Sequence, residues 1–378
     1  MQLSNEIIRW RRALHAMPEL RMDTPKTEAY IARELTLMGA EDIRTGVGGH
    51  GVTAMIRGDL PGKTLAIRAD CDGLPIREET GLPFASTNGN MHACGHDAHT
   101  AMLLGAMEIL TELKDELCGR VVFCFESDEE NGTGWPVQLP ILEELGIDAC
   151  FAIHVLSSLQ SGKISLQSGG RMCGMVAVDA QFVGKGGHGS RPDLSVNPVF
   201  AAAAALSNLA VAAANRITPG EVLTLGITAI QGGSVFNVIP DRARILGTMR
   251  YFNREIGQIA LDMEKSVFDH TAAMYGCTVE YAPRNKIYLE PVVNDPACVR
   301  MARAALSGEW LADCDPWYAS ETFSVCMNRW PGALAFLGIR NEAVGSGAEH
   351  HNEHFDVDEA ALWRGAVCYA AFAAEVLK

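Results

Sequence analysis

Residues Thr64–Asp72 read TLAIRADCD, a short apolar run that ends in two aspartates. Two later stretches repeat the form: residues 120–127, RVVFCFES, lead into Asp128, Glu129 and Glu130, and residues 149–155, ACFAIHV, close on His154. Each run is short and mostly apolar, and helix-length segments separate them, which is how strands buried in a parallel sheet read. The pattern predicts an α/β domain. Ligands in such sheets gather beyond the carboxyl ends of the strands, so Asp70, Asp72, the Glu126–Glu130 stretch and His154 are expected around one cleft.

Outward from these runs the organisation is legible in coarse terms. Thr24 before Pro25 reads as a helix cap with proline at the first helical position, and Gly39 closes the helix that follows. From about Met172 the texture changes to strand, helix, two strands, helix and a short strand, the order of a small α+β domain with a four-stranded sheet and helices on one face. After about Pro283 the α/β texture returns. The expected domains are therefore 1–171 with 284–378, interrupted by an insertion at 172–283.

Composition narrows the function. A formal net charge of −15 opposes nucleic-acid or anionic-membrane binding, which needs clustered Lys and Arg. The longest apolar candidate, residues 200–215, reads as an alanine-rich helix and not a membrane span. The N-terminal MQLSNEIIRWRRALHAM carries charge inside its periodic pattern and lacks a compact apolar stretch before a cleavage site, so no secretory signal is read and the cytoplasm is the expected compartment. Eleven cysteines, an odd and scattered set with no C-x-x-C, suggest neither a disulfide frame nor a zinc ribbon. A small-molecule substrate is the default.

Residues Met91–Thr100, MHACGHDAHT, concentrate three of the chain's 11 histidines. A nucleophilic Cys94 with a nearby base is one reading, Asp97 capping the helix that begins there is another, and metal ligation is a third. Cys94 and His96, two apart on an extended approach to a helix, would aim at a shared third object such as a metal ion. A second histidine cluster, His350, His351 and His354, lies in AEHHNEHFDVDE, and mixed sulfur, nitrogen and oxygen donors suit a borderline transition metal. Adjacent Glu129 and Glu130 would allow one carboxylate to bind metal while the other moves protons. GKGGHG at 184–189 matches a dinucleotide fingerprint but SRPDLSVNP follows where a helix is needed, so it reads as a loop presenting His188.

Taken together, WRRALHAMPEL, RADCDGLPI, MHACGHDAHT, the paired glutamates, IHV, GKGGHGSRP, GGSVFNVIPD with GTMR, and HHNEHFDVDE resemble, in order and spacing, the bacterial and plant N-acyl amino acid amidohydrolases. That group, which includes hippurate hydrolases, N-acetyldiaminopimelate deacetylases and indole-acetyl amino acid hydrolases, lies within the aminoacylase and carboxypeptidase superfamily of dinuclear metallohydrolases. The resemblance implies a doubly wound, mostly parallel catalytic domain with an inserted ferredoxin-like lid that dimerises. It implies two divalent ions, manganese or zinc foremost with cobalt or nickel compatible, held by Cys94, His96, Glu130, His154 and His351. It implies Glu129 as the general base acting on a metal-activated water, with His188, Asn237 and Arg250 contacting substrate and His188 reaching across the dimer. The implied reaction is hydrolysis of an N-acyl amino acid to a carboxylate and a free amino acid. A dipeptidase or aminopeptidase on the same scaffold is the nearest alternative, and an inactive metal-binding protein a weaker one.

Three departures from the group's pattern stand out. FESDEE replaces the usual FQPAEE, SETF replaces SEDF so that Thr322 stands where aspartate is usual, and Glu353 stands where proline usually follows His-Asn. The extra carboxylates of Glu126 and Asp128 are expected to disfavour an acidic substrate group in that part of the cleft.

Overall fold

The computed structural model describes residues 2–378. The chain divides into two compact units, the first made of residues up to Gly169 with Val293–Asp315 and Thr322–Lys378, the second of Gly170–Val292 with Pro316–Glu321. The second unit thus runs past residue 283, because Ile287–Leu289 pairs onto its sheet.

The first unit is a mixed α/β layer structure. Its strands are β1 (Glu41–Thr45), β2 (Val52–Arg57), β3 (Leu60–Asp70), β4 (Cys118–Glu126), β5 (Ala149–Gln160), β6 (Ile164–Ser165) and β7 (Gly332–Arg340), in the spatial order β1-β2-β4-β3-β5-β7-β6. The neighbours β4, β3, β5 and β7 run parallel, while β1, β2 and β6 add antiparallel edges. The parallel strands are buried on both faces, which is why the sequence reads as unbroken apolar runs there. The helices α1 (Gln2–His15), α3 (His96–Glu112) and α5 (Leu362–Val376) pack together over a core that includes Ile67, Phe123, Phe151 and Leu337. Helix α2 (Pro25–Leu37) contacts β1 and β2, and α4 (Trp135–Leu145) contacts β4. Thr24 is the cap residue of α2, but its hydroxyl goes to Glu28 and Ser127 and not to the helix backbone.

One local split in this sheet positions the site. Pairing between β3 and β5 ends at Arg68 and Ala152, and the Tyr369 hydroxyl inserts beyond it, donating to the Arg68 carbonyl at 2.7 Å and accepting the Ile153 N–H at 3.0 Å. Past the split β5 continues to Gln160, so His154 lies within the strand and not at its end as the sequence suggests. It faces the cleft because its neighbour β3 has already left the ladder.

The second unit carries an antiparallel sheet in the order Leu223–Gly232, Arg242–Tyr251, Gly174–Val183, Thr278–Tyr281, with Ile287–Leu289 sharing the last edge. Two helices, Pro198–Arg216 and Arg254–Met274, pack on each other and on the strands, giving the ferredoxin-like βαββαβ order. Among the described residues Pro198–Arg216 is the one helix long and apolar enough to cross a membrane. Its Ala201, Ala202, Ala205 and Leu209 are buried in the core of this unit, beside Phe182 and Phe268.

Candidate metal centre

The loop after β3 brings the first donors together. Gly73 N–H donates to the Glu19 carbonyl at 2.7 Å, and Leu74 and Met91 exchange backbone hydrogen bonds at 2.9 Å, which closes the intervening loop and returns the chain to the end of β3. The approach to α3 is not extended as expected: Ala93 and Cys94 form a turn, and Gly95 is left-handed at φ 97°. A Cβ on Gly95 would stand 2.4 Å from Val155 Cγ2, so both the backbone conformation and the space require glycine. Asp97 does not cap α3. It is buried in the first turn, accepting Arg11 Nε at 2.8 Å and lying 2.7 Å from His15 Nδ1, and Arg11 also pairs with Asp356 at 2.7 Å.

The resulting geometry gathers six side chains of the first unit. Cys94, His96 and His154 offer donor atoms within 4.8 Å of one another; so do Cys94, Glu130 and His351, and so do His96, Glu129 and Glu130. Cys94 Sγ is 3.6 Å from His154 Nε2, and Glu130 Oε1 is 3.4 Å from His351 Nε2 and 3.8 Å from His96 Nε2. His96 Nε2 and Glu130 Oε1 are buried and have no hydrogen-bond partner among the described residues. Burying such atoms unsatisfied is costly unless a cation completes them. Soft sulfur, imidazole and carboxylate in one place fit a borderline divalent metal, so the residues present fit the ions that the sequence pattern implies.

Partners behind the donors fix their orientation. His96 Nδ1 faces the Asp72 carbonyl at 2.9 Å and its carboxylate at 3.1 Å, while Asp72 Oδ2 accepts the Glu130 N–H. Burial works against a charged His96, but Asp70 and Asp72 outweigh it and hold its pKa well above the ordinary value. His154 donates Nδ1–H to the Val155 carbonyl at 2.6 Å, which turns Nε2 toward Cys94, and burial with His99 nearby holds its pKa well below the ordinary value. A neutral imidazole with that nitrogen exposed to the cluster is a metal ligand's protonation state. His99 lies close enough to be mistaken for a donor, but Nδ1 meets Asp70 at 2.6 Å and Nε2 accepts the Val155 N–H at 2.8 Å. Its two nitrogens are committed to bracing β3 against β5. His350, next to His351, is half-buried and accepts the Ser157 N–H at 3.2 Å, and desolvation and His99 push its pKa down to about 3. His351, at φ 63°, is anchored by its own N–H on the Ala93 carbonyl at 2.8 Å.

The profile of the peptidase family M20/M25/M40 matches residues 66–375, which spans all of these donors. The chain belongs to that family. It is 35% identical to thermostable carboxypeptidase 1 of Saccharolobus solfataricus over 98% of this chain and 95% of the relative. It is 33% identical to the N-acetylcysteine deacetylase of Bacillus subtilis over 98% and 97% of the two chains. A Bacillus subtilis crystal structure, described as a dinuclear metal-binding peptidase of the M20 family, superposes with a TM-score of 0.87 at 31% identity, covering 100% of this chain and 98% of that one.

In this M20 chain the acidic FESDEE stretch behaves differently from its expectation. Glu126 is fully buried and takes Arg68 Nε at 2.8 Å and Nη2 at 2.5 Å. Asp128, left-handed at φ 63°, accepts from Asn131 at 2.6 Å and from the Thr133 hydroxyl. The Glu126 charge is paired with Arg68, so its share of the expected repulsion of an acidic substrate group loses its basis, while Asp128 is held by neutral donors. Two of the departures also meet: Thr322 Oγ1 donates to Glu126 Oε2 at 3.0 Å.

The remaining expected contacts lie in the second unit. His188 pairs with Val238 across a short ribbon that also carries Asn237, while Arg250 lies opposite Met175 and donates to Ser320 at 2.6 Å. His188 follows Val183, which ends the strand whose beginning lies opposite Arg250, and about eight residues at 3.3 Å each, roughly 26 Å, separate Met175 from Val183 along that strand. His188 Nδ1 accepts the Ser190 N–H at 3.1 Å, which leaves the Nε2 proton as its outward donor. The sequence places Asp70 and Asp72 at the cleft and His99 in the histidine cluster, but nothing in it marks these, Arg11 or His15 as groups that orient the donors. Arg11 and His15 stand out only as part of WRRALH.

Proposed function

We propose that this protein is a metal-dependent amidohydrolase that cleaves N-acyl amino acids to a carboxylate and a free amino acid. Two divalent cations, manganese or zinc, would be held by Cys94, His96, Glu130, His154 and His351. When bound, such ions acidify water and polarise an amide carbonyl. Glu129 accepts the proton of the attacking water and returns it to the leaving amine. Arg250 offers a planar guanidinium for the amino acid carboxylate, and His188 directs its Nε2–H at the oxyanion. The observation that carries the reading is the meeting of thiol, imidazole and carboxylate donors around Glu129, with His96 Nε2 and Glu130 Oε1 left buried and unsatisfied.

The second unit is proposed to act as lid and dimerisation surface. His188 and Arg250 lie toward opposite ends of the second unit's sheet, which supports a reading in which the two serve different sites of a reciprocal dimer. The outer edge of Leu223–Gly232 has no paired strand among the described residues, and Phe236 is fully exposed beside a groove of about 770 Å³ lined by Phe200 and Val235. All eleven cysteines are free thiols, which favours a reducing compartment such as the cytoplasm. The carboxypeptidase relative gives limited support to a peptidase reading, since the bond is the same amide.

The test pairs a panel of N-acetyl, N-benzoyl and dipeptide substrates with Glu129→Gln. Chelator-sensitive hydrolysis of N-acyl amino acids is expected, and the variant should keep its metal while turnover falls by orders of magnitude. Preference for free dipeptides would favour the peptidase, and near-normal turnover of the variant would remove Glu129 from its role.

A further inference from the structure

We infer that Thr322 and Glu126 are positioning residues that aim Glu129; the inference rests on the proposed role of Glu129 as base. Glu129 sits in a turn and not in a helix or strand, so regular backbone structure does not fix its carboxylate. Its Oε1 accepts the main-chain N–H of Thr322 at 3.2 Å. That N–H belongs to another loop, whose place relative to the sheet is set by the Thr322 side chain. The hydroxyl donates to Glu126 Oε2 at 3.0 Å and accepts Arg68 Nη2 at 2.9 Å. Arg68 and Glu126, on β3 and β4, form a two-point ion pair, and Arg68 Nη1 reaches Asp70 Oδ2 at 3.0 Å. Arg68, Glu126 and Thr322 are each 2% exposed or less. The hydroxyl is therefore wedged into a buried pair anchored on two neighbouring strands, and the backbone it carries presents one donor to the base.

A general base works only within hydrogen-bond reach of its proton, and a displacement of about 1 Å can cost on the order of a hundredfold in rate. Thr322→Val keeps the volume and the N–H but removes the hydroxyl that seats the loop. Its kcat on an N-acyl amino acid should fall about tenfold or more with KM within about twofold and metal content unchanged, and Thr322→Ser should restore most of it. The metal-loaded full chain also allows a charge relocation. Glu126→Gln removes one of the two carboxylates paired with Arg68 and should lower kcat, and adding Thr322→Asp should recover it by facing Arg68 from the other side. Wild-type kcat in Thr322→Val, or a loss that tracks metal content and that serine does not restore, overturns the inference. If Thr322→Val fails to fold, Glu126→Gln against the double variant decides: no recovery in the double variant rejects it. A dead Glu129→Gln beside a normal Thr322→Val sinks only this inference, whereas an active Glu129→Gln sinks the base assignment itself.

Discussion

The sulfur of Cys94 lies 3.6 Å from His154 Nε2, and the same sulfur belongs to a second donor group with Glu130 and His351. One thiol thus serves two groups that otherwise share no member. Burial, with Glu130 nearby, pushes the Cys94 thiol well above its ordinary pKa, so a cation is needed to hold it as thiolate.

This sharing predicts unequal metal losses. Cys94→Ala should depress binding of both ions, whereas His351→Ala or His154→Ala should chiefly reduce occupancy at one. Metal analysis of protein dialysed against buffered manganese or zinc checks this, and equal stoichiometry in all three variants would refute the shared role. Removing metal with a chelator should also lower the melting temperature, since ions that bind the folded state stabilise it.

Asp72 orients His96 through Nδ1 and also accepts the Glu130 N–H. Asp72→Asn should weaken metal affinity or activity by about 10- to 100-fold, the range typical of a carboxylate behind a ligating histidine. A metal titration followed by activity reads it directly.

His15 sits between Asp97 and Glu78, at 2.7 and 3.0 Å. Burial alone would depress its pKa, but Asp97 and Glu78 outweigh burial and raise it to about 9. A histidine held above its unfolded value stabilises fully below about pH 6.5, and the contribution is lost as pH rises through about 9. It amounts to roughly 3 kcal/mol, taken from a pKa difference of about two and a half at 1.36 kcal/mol per unit. Urea midpoints from pH 6 to 10 should fall more steeply for the wild type than for His15→Asn. Parallel curves would show that the network is not charged in this way.

Glu264, in the core of the second unit, is fully buried with Asn285 Nδ2 at 3.1 Å. Burial pushes its pKa up to about 7 against that hydrogen bond. Folding then favours the protonated form, so stability declines as pH rises from about 4.5 and the penalty is complete above about 7. Glu264→Gln keeps an acceptor for Asn285 and should raise the melting temperature at pH 8 by several degrees, with the gain vanishing near pH 4.5. No gain at pH 8 would count against a buried charge there.

The proposed exchange of His188 between protomers makes a mixing experiment decisive. Neither His188→Ala nor Glu129→Gln should turn over well alone. Mixed one to one and allowed to re-pair, they should recover up to about a quarter of wild-type activity, because half the dimers are mixed and each holds one intact site. Additive activities with no recovery would place His188 on its own protomer's site or on none.

The features legible in the sequence share one property: they are local. TLAIRAD, RVVFCFES and ACFAIHV announce buried strands because burial on both faces removes alternation, and the donors flank those runs. β1 and β6, five and two residues long, are too short to carry a pattern, and β2 is held by pairing with distant residues, as Val52 does with Phe125. Nothing local distinguishes a left-handed Gly95 from a flexible one, so the approach to α3 reads as extended; the reason for the turn lies 60 residues on, at Val155. The charge of Glu126 misled for a similar cause. Arg68, its partner, stands on a strand whose apolar neighbours give no hint that an ion pair is buried between them.

Gly95 also sets a limit on how this protein can be re-engineered. Randomising the MHACGHD stretch to retune the reaction would return glycine at that position in every working clone, because a single methyl there runs into Val155 and forces the backbone out of its left-handed turn. Diversity is better spent on exposed positions of the second unit such as Tyr318, which can be exchanged without disturbing the packing beneath α3.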